Sequence, residues 1–377
     1  MNDEASEGRP GFSNVPRRSL VTGASGFTGR RLVEMLVERG AERVFAFDIA
    51  PPPKGALQDP RISYLQGDIR KRDDVLKAFK DADGIDCCFH VAALVGPYHD
   101  VSDFDEVNHR GTLHILEACR STGVRKLVMS SSPSTRFPYP DPSVRGLTED
   151  ELEERNGPGK YSPTFHAEYA RTKAKGEAAV LQACSDDLMT IAVAPHQLYG
   201  PRDPLLFPSL LEAASSGRLR VFGDGKNRVS FTHIDNYCHA MILGAEALHR
   251  GSPALGKFYV VTDPENVLLW DAFDRAVTGN GLPSIKNKRA VPLPVMLAVA
   301  TATQVSAHLV ARVSGRPLSV VLRKFKLTPF SVRMLTIDRW FNFSRATRDL
   351  KYEPLYTFEE GWAQTTEWFL KHSPPRA

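Results

Sequence analysis

Residues 19–50 read SLVTGASGFTGRRLVEMLVERGAERVFAFDIA, and the order of signals within this stretch decides the fold. Residues 19–22 are a short apolar run ending at Gly23, the pattern of a buried parallel strand. Leu32, Val33, Leu36 and Val37 then recur at helical spacing, and Gly40 follows where a helix C-terminus favours glycine. Residues 43–47 return to an apolar run that closes on Asp48. Strand, helix and strand within about thirty residues make one right-handed crossover unit.

Working outward, the alternation continues. Strands are expected at 62–65, 87–91, 126–130 and 189–194, with helical patterns at 74–79, 104–122 and 166–184. This order predicts an α/β fold: a Rossmann-like, doubly wound parallel sheet with a smaller C-terminal substrate-binding region. The expected division is a flexible tail at 1–17, a nucleotide-binding domain at 18–197 and a mainly substrate-binding region at 198–377. Residues 136–163 are rich in proline and acid without sustained periodicity, and are expected to be a long surface loop. Residues 295–313 are apolar but interrupted by Thr301, Thr303, Gln304, Ser306, His308 and Arg312, which predicts a helix lying on a hydrophobic surface.

A chain of 377 residues suffices for one large α/β domain or two ordinary ones. With 42% hydrophobic and 24% charged residues it is not a disordered sequence. Uncharged apolar runs of about eighteen residues are missing, so no spanning helix is expected. The stretch MNDEASEGRPGFSNVPRR lacks the apolar core of a secretory signal. Cys87, Cys88, Cys119, Cys184 and Cys238 form no CxxC pair, which points to a reducing compartment and to no metal site. Residues 275–337 hold ten basic side chains and no acidic one, although the net charge is only +4. Such a segment calls for a partner or another reason, an anionic lipid surface or a solvated basic face, and no nucleic-acid-binding module accompanies it.

Gly23, Gly26 and Gly29 form G-x-x-G-x-x-G between the first strand and its helix. Glycines there allow a tight turn and close approach to a pyrophosphate, while the helix N-terminus offers free N–H groups. Asp48, at the end of the next strand, suits the adenosine ribose hydroxyls and repels a 2′-phosphate, so NAD is favoured over NADP. Asp68 is placed to meet the adenine edge and also suits a helix N-cap. Ala92 and Ala93 follow the fourth strand, where small side chains let the chain pass close to the cofactor. Cys87 and Cys88 read as core. Tyr169 and Lys173, four apart in EYARTK, share a helix face, and the cation is expected to lower the phenol's pKa. A hydroxyl of Ser130-Ser131-Ser132 would hold a substrate oxygen toward that tyrosine.

Taken together, TGASGFTG, Asp48, SSS, YARTK and PHQLYGPRDP resemble the extended short-chain dehydrogenase/reductases. The stretches APHQLYGPRDPLLFPSL, GDGKNRVSFTHIDNYCHAMILGAEAL, GKFYVVTD, FKLTPF and YEPLYTFEEGW resemble the 3β-hydroxysteroid dehydrogenase branch, above all its members that decarboxylate 4α-carboxysterols. The resemblance implies that Tyr169 is the general acid/base, Lys173 binds the ribose and tunes Tyr169, and Ser132 is the third catalytic member, with Ser131 as the alternative. It further implies that Ser25, Phe27, Ile69, Pro195, Gln197 and Leu198 complete the cofactor site. The implied reaction is NAD-dependent oxidation of a 3β-hydroxyl with loss of CO2. Implied too are a sterol substrate, peripheral association with the cytosolic face of the endoplasmic reticulum, and a homodimer packed through 104–122 and 166–184. A cytoplasmic location, a 3β-hydroxysteroid dehydrogenase/Δ5–Δ4 isomerase without carboxylate dependence, a nucleotide-sugar epimerase or reductase, and a non-catalytic redox sensor are the competing readings. Two departures from the family pattern stand out: Ala194 replaces an arginine that commonly precedes the proline, and the segment after the serines reads PSTRFP.

Overall fold

The computed structural model describes residues 15–96, 99–137, 143–156, 168–322, 325 and 327–372. In chain order the first strands are β1 (Arg18–Thr22), β2 (Arg43–Asp48), β3 (Ile62–Gln66), β4 (Cys87–His90) and β5 (Lys126–Ser130). They are followed by β6 (Val144–Leu147), β7 (Met189–Pro195), β8 (Leu198–Tyr199), β9 (Arg228–Ser230) and β10 (Thr232–His233). The last are β11 (Lys257–Val261), β12 (Asn266–Leu268) and β13 (Arg339–Phe341).

Seven strands form the main sheet in the order β11-β7-β5-β4-β1-β2-β3, every pairing parallel. β1 is central because both its faces are apolar: Leu20 and Val21 point to opposite sides and are fully buried. From β1 the chain winds one way through β2 and β3, then the other way through β4, β5 and β7. The order reverses between β1 and β4, and a crevice opens there at the C-terminal strand ends. The helices Phe27–Glu38 and Ile234–Ala247 cover one face. Arg72–Asp81, Thr112–Thr122 and Glu168–Gln182 cover the other. Leu32 and Leu36 are buried one helical turn apart, each contributing about 1.5–3 kcal/mol.

The sheet is completed from the C-terminal half, because β11 adds the outermost strand beside β7. A second core gathers Tyr199, Phe207, Phe231, Trp270, Phe358 and Trp362. A four-stranded sheet, β12-β9-β13-β6, lies beside that region.

Two expectations change. Residues 136–163 are not one loop: β6 and the helix Glu149–Asn156 form within them. Thr148 and Glu151 make a reciprocal cap, Thr148 N donating to Glu151 Oε2 at 2.8 Å and Glu151 N donating to Thr148 Oγ1 at 3.3 Å. Leu152 is fully buried, and the buried Arg345 donates to Glu153 at 3.0 Å. The acidic run is thus a helix held from outside, and acidity had masked its single apolar anchor. Residues 1–14 of the expected tail lie outside the described residues, as do 157–167. Val15 packs against the core and Arg17 donates to Glu42 at 2.6 Å, so residues 15–17 are anchored.

Candidate active site

Four strand ends meet at the crevice. β1 runs into Gly23, whose φ of +70° suits glycine. A Cβ there would stand 2.8 Å from the Ala92 backbone, and one on Gly29 would stand 2.0 Å from the Gly23 carbonyl oxygen. Positions 23 and 29 therefore admit no side chain, and the turn's backbone forms a cradle at the start of the helix Phe27–Glu38, which opens at Gly26 without a capping side chain. That is the donor set a pyrophosphate needs. Ser25 N donates to Asp48 Oδ2 at 2.9 Å, which ties the glycine turn to the carboxylate at the end of β2. Phe27, half-buried, follows at the helix start.

Beyond β3, Asp68 accepts from Arg70 N at 2.9 Å and pairs with the Arg70 guanidinium at 2.6 Å. Burial alone would raise its pKa, but Arg70 outweighs it and holds the carboxylate below its ordinary value. The following helix is capped at Lys71, so Asp68 is not its N-cap. Ile69 is buried, and its Cδ1 lies 2.8 Å from where a Cβ on Gly111 would stand. Val91 N and Ala92 N both donate to Thr22 Oγ1 at 3.1 Å, which holds the chain through Ala92 and Ala93 against the cradle.

At the end of β5 the serines divide. Ser130 Oγ accepts from Tyr237 Oη at 2.7 Å, Ser131 Oγ donates to Glu177, and Ser132 Oγ lies 2.9 Å from Ser134 Oγ and close enough to Tyr169 to favour its phenolate. The geometry thus favours Ser132 over Ser131 as the residue beside the phenol. Lys173 is buried one turn along the same helix and donates from Nζ to the Ser130 carbonyl at 2.7 Å. Burial pushes the ammonium down to about 8, partly opposed by Glu177. Burial pushes the Tyr169 phenol up to about 12, and only Ser132 pulls it back. The expected lowering by Lys173 is not seen, because desolvation dominates both groups.

Sequence reasoning missed the supports. Glu177 is fully buried and collects Ser131, Arg136 and, at 3.3 Å, Thr135 Oγ1. His90 bridges Thr22 Oγ1 and Thr112 Oγ1, each at 2.9 Å, and burial followed by Lys173 holds it down to about 3. Asn108, within the π-helical turn Glu106–Gly111, accepts from Leu94 N at 2.9 Å and donates to Leu94 O at 3.1 Å. These residues sit in helices or strands as isolated polar positions, and only Thr22, inside TGASGFTG, carried a local signal.

Pro195 closes β7 beside Val261, Gln197 follows with φ +44°, and Leu198 opens β8. The two departures meet in space. Ala194 is fully buried in an apolar cluster with Phe137, Phe258 and Phe341, and the Arg136 guanidinium lies 3.6 Å from the Phe258 ring centroid. The buried cation packed on this cluster is Arg136 of PSTRFP, paired with Glu177.

Several known proteins are similar to this chain. A 2-alkyl-3-oxoalkanoate reductase of Stenotrophomonas maltophilia (strain K279a) is 34% identical, covering 91% of this chain and 96% of its own. The sterol-4-alpha-carboxylate 3-dehydrogenase, decarboxylating, of Homo sapiens is 33% identical over 94% of this chain and 89% of its own. Among solved structures, a dTDP-glucose 4,6-dehydratase of Streptomyces venezuelae, crystallised with NAD and TYD, superposes with a TM-score of 0.69 at 20% identity, covering 94% of this chain and 97% of that one. That likeness speaks for the fold. The profile of the 3-beta hydroxysteroid dehydrogenase/isomerase family matches residues 20–293, which carry the glycine cradle, Ser132, Tyr169 and Lys173. With a parallel sheet, a dinucleotide cradle and that match over most of its length, the chain belongs to the 3-beta hydroxysteroid dehydrogenase/isomerase family.

Proposed function

We propose that this protein is an NAD-dependent oxidoreductase that converts the 3β-hydroxyl of a 4α-carboxysterol to the ketone with loss of CO2. The observation that carries this reading is the convergence of Ser132, Tyr169 and Lys173 beside the glycine cradle. The relatives narrow the substrate. A 4α-carboxy-3-hydroxysterol and a 2-alkyl-3-hydroxyalkanoate share one frame, a carboxylate on the carbon next to the reacting carbon.

Gly23, Ser25, Gly26, Phe27 and Gly29 would hold the pyrophosphate, Asp48 the adenosine ribose, and Asp68 with Ile69 the adenine. Ala92, Ala93, Pro195, Gln197 and Leu198 would line the nicotinamide end, and Lys173 would take the second ribose. NAD held there would supply the hydride acceptor for the carbinol carbon. Tyr169 takes the hydroxyl proton, and Ser132 holds the same oxygen as it becomes a carbonyl. The product is a β-keto acid. Its bond to the carboxyl breaks, the electron pair enters the ketone as an enolate, and a proton on carbon completes the ketone. No separate decarboxylation site is needed.

The helix Leu293–Ser314 rests the protein on a membrane surface at the cytosolic face of the endoplasmic reticulum. It is 22 residues long and apolar enough to span, which the sequence pattern did not predict. Met296, Ala300 and Ala307 nevertheless pack against the protein, whereas Val299, Leu309 and Val313 are exposed. An amphipathic surface contact fits that division better than a span. Thr301 and Thr303 return their hydroxyls to helix carbonyls at 2.8 and 2.9 Å, which suits an apolar surrounding. A homodimer through 104–122 and 166–184 belongs to the same reading, and a monomeric mass in solution overturns it.

The deciding assay follows NADH and CO2 with two matched 3β-hydroxysterols, one bearing a 4α-carboxylate. The expected result is NADH with CO2 from the acid, and a loss of at least about 10³-fold in Tyr169→Phe. Equal NADH from both sterols moves the reading to a general 3β-hydroxysteroid dehydrogenase. Turnover of a 2-alkyl-3-hydroxyalkanoate in place of the sterol favours the second frame.

A further inference from the structure

Arg339, the first residue of β13, is 5% exposed and has no carboxylate partner among the described residues. The other buried arginines are neutralised: Arg136 by Glu177, and Arg345 by Asp150 and Glu153. Arg339 instead donates from Nη1 to His196 Nε2 at 3.2 Å and from Nη2 to the Met334 carbonyl at 2.7 Å, and its Nε has no partner. His196 does not compensate the charge. Its Nδ1 donates to the Ser230 carbonyl at 2.8 Å, which fixes the tautomer and turns the Nε2 lone pair to the guanidinium. Burial, followed by Arg339 itself, keeps this imidazole neutral.

A buried cation with no counter-ion among the described residues is costly to retain. Its place explains what it is kept for. His196 directly follows Pro195 at the end of β7, in the segment assigned to the nicotinamide end of the cofactor. The His196 ring lies 5.0 Å from Phe341 and 6.4 Å from Phe137, the latter five residues beyond Ser132. Ser131 N, next to Ser132, donates to the Val193 carbonyl on β7 at 2.8 Å. The guanidinium thus touches the segment after β7 through His196, and Phe137, packed against the same imidazole, leads back along the chain toward Ser132.

We propose that Arg339, oriented by His196, is the anchor for the substrate carboxylate and sets the preference for β-hydroxy acids over plain secondary alcohols. This rests on the reading of the substrate given above. A carboxylate on the neighbouring carbon would meet the unpartnered Nε–H and complete a charge-assisted pair. The guanidinium takes no part in hydride or proton transfer.

The test compares full-length wild type with Arg339→Met and Arg339→Lys on the matched sterols. The selectivity ratio, kcat/KM for the acid over that for the neutral sterol, should fall 30-fold or more in Arg339→Met, chiefly through KM. Arg339→Lys should retain part of it. Arg339→Met leaves His196 Nε2 and the Met334 carbonyl without their donor, so Tm of the three proteins is read alongside to separate lost recognition from misfolding. An equal loss on both sterols, or none, overturns the anchor. Thermal shift with a 2-alkyl-3-hydroxyalkanoate and its methyl ester gives a readout independent of turnover. Stabilisation of wild type by the acid alone, and of Arg339→Met by neither, supports the anchor even if no sterol is oxidised, in which case only the substrate reading falls. Equal stabilisation by acid and ester overturns the anchor directly.

Discussion

Tyr169 shows how a single residue's surroundings set the working pH. Its phenol is raised to about 12 by burial, and Ser132 is the one group that draws it down. The base form is therefore scarce at neutral pH and grows about tenfold per pH unit below that value. Oxidation should rise with pH along a limb of unit slope. Ser132→Ala removes a hydrogen bond to the phenolate, so its pKa rises further and the limb moves to higher pH. A pH–kcat/KM profile of the two proteins checks this, and superimposed limbs would mean that Ser132 acts only in positioning. At this scale the Tyr169–Lys173 spacing and the serine run were legible, whereas Ser132 was preferred to Ser131 only through the family resemblance. The direction of the shifts was not legible, because desolvation depends on what covers the site, and that is assembled from distant segments.

Elements tell a similar story. The helix Glu149–Asn156 is docked by a carboxylate in an unusual state: Glu149 accepts from Val260 N at 3.2 Å, and burial raises it to about 7. Its folded pKa lies above the unfolded value of about 4.5, so the folded state favours the proton. The charged form costs stability above about pH 7, and the cost fades as pH falls toward the unfolded value. Glu149→Gln should accordingly stabilise the protein at pH 8, by on the order of 3 kcal/mol at most, and by little at pH 5. Urea unfolding at the two pH values measures it, and a pH-independent difference would remove the titration from the account. This helix and β6 were hidden within the stretch 136–163 that reads as a loop. Eight residues with one apolar anchor have no periodicity to detect, and their partners Val260 and Arg345 are more than a hundred positions away. Long crossover elements, by contrast, carried their own pattern: β1, β2 and the helix Phe27–Glu38 stand where residues 19–50 placed them.

For the whole molecule, the exposed row on the helix Leu293–Ser314 makes its surface two-sided, one side apolar and the rest charged. Replacing Val299 and Leu309 with glutamate should abolish co-sedimentation with anionic vesicles and leave the turnover of detergent-solubilised substrate within about twofold. Undiminished co-sedimentation would mean that the helix faces something other than lipid. The main sheet has a different consequence, one that concerns the order of events at the ribosome. β7 leaves the exit tunnel with one edge bare, and the strand that covers it, β11, follows only after the helix Ile234–Ala247 has been made. Until Val261 emerges, the nascent chain holds an unpaired parallel edge whose natural remedy is pairing with any available strand. A stop codon or a proteolytic nick after residue 197 would thus release a polypeptide with an adhesive edge in place of a smaller nucleotide-binding protein. Synthesis of this chain has a vulnerable interval, closed by its own downstream sequence.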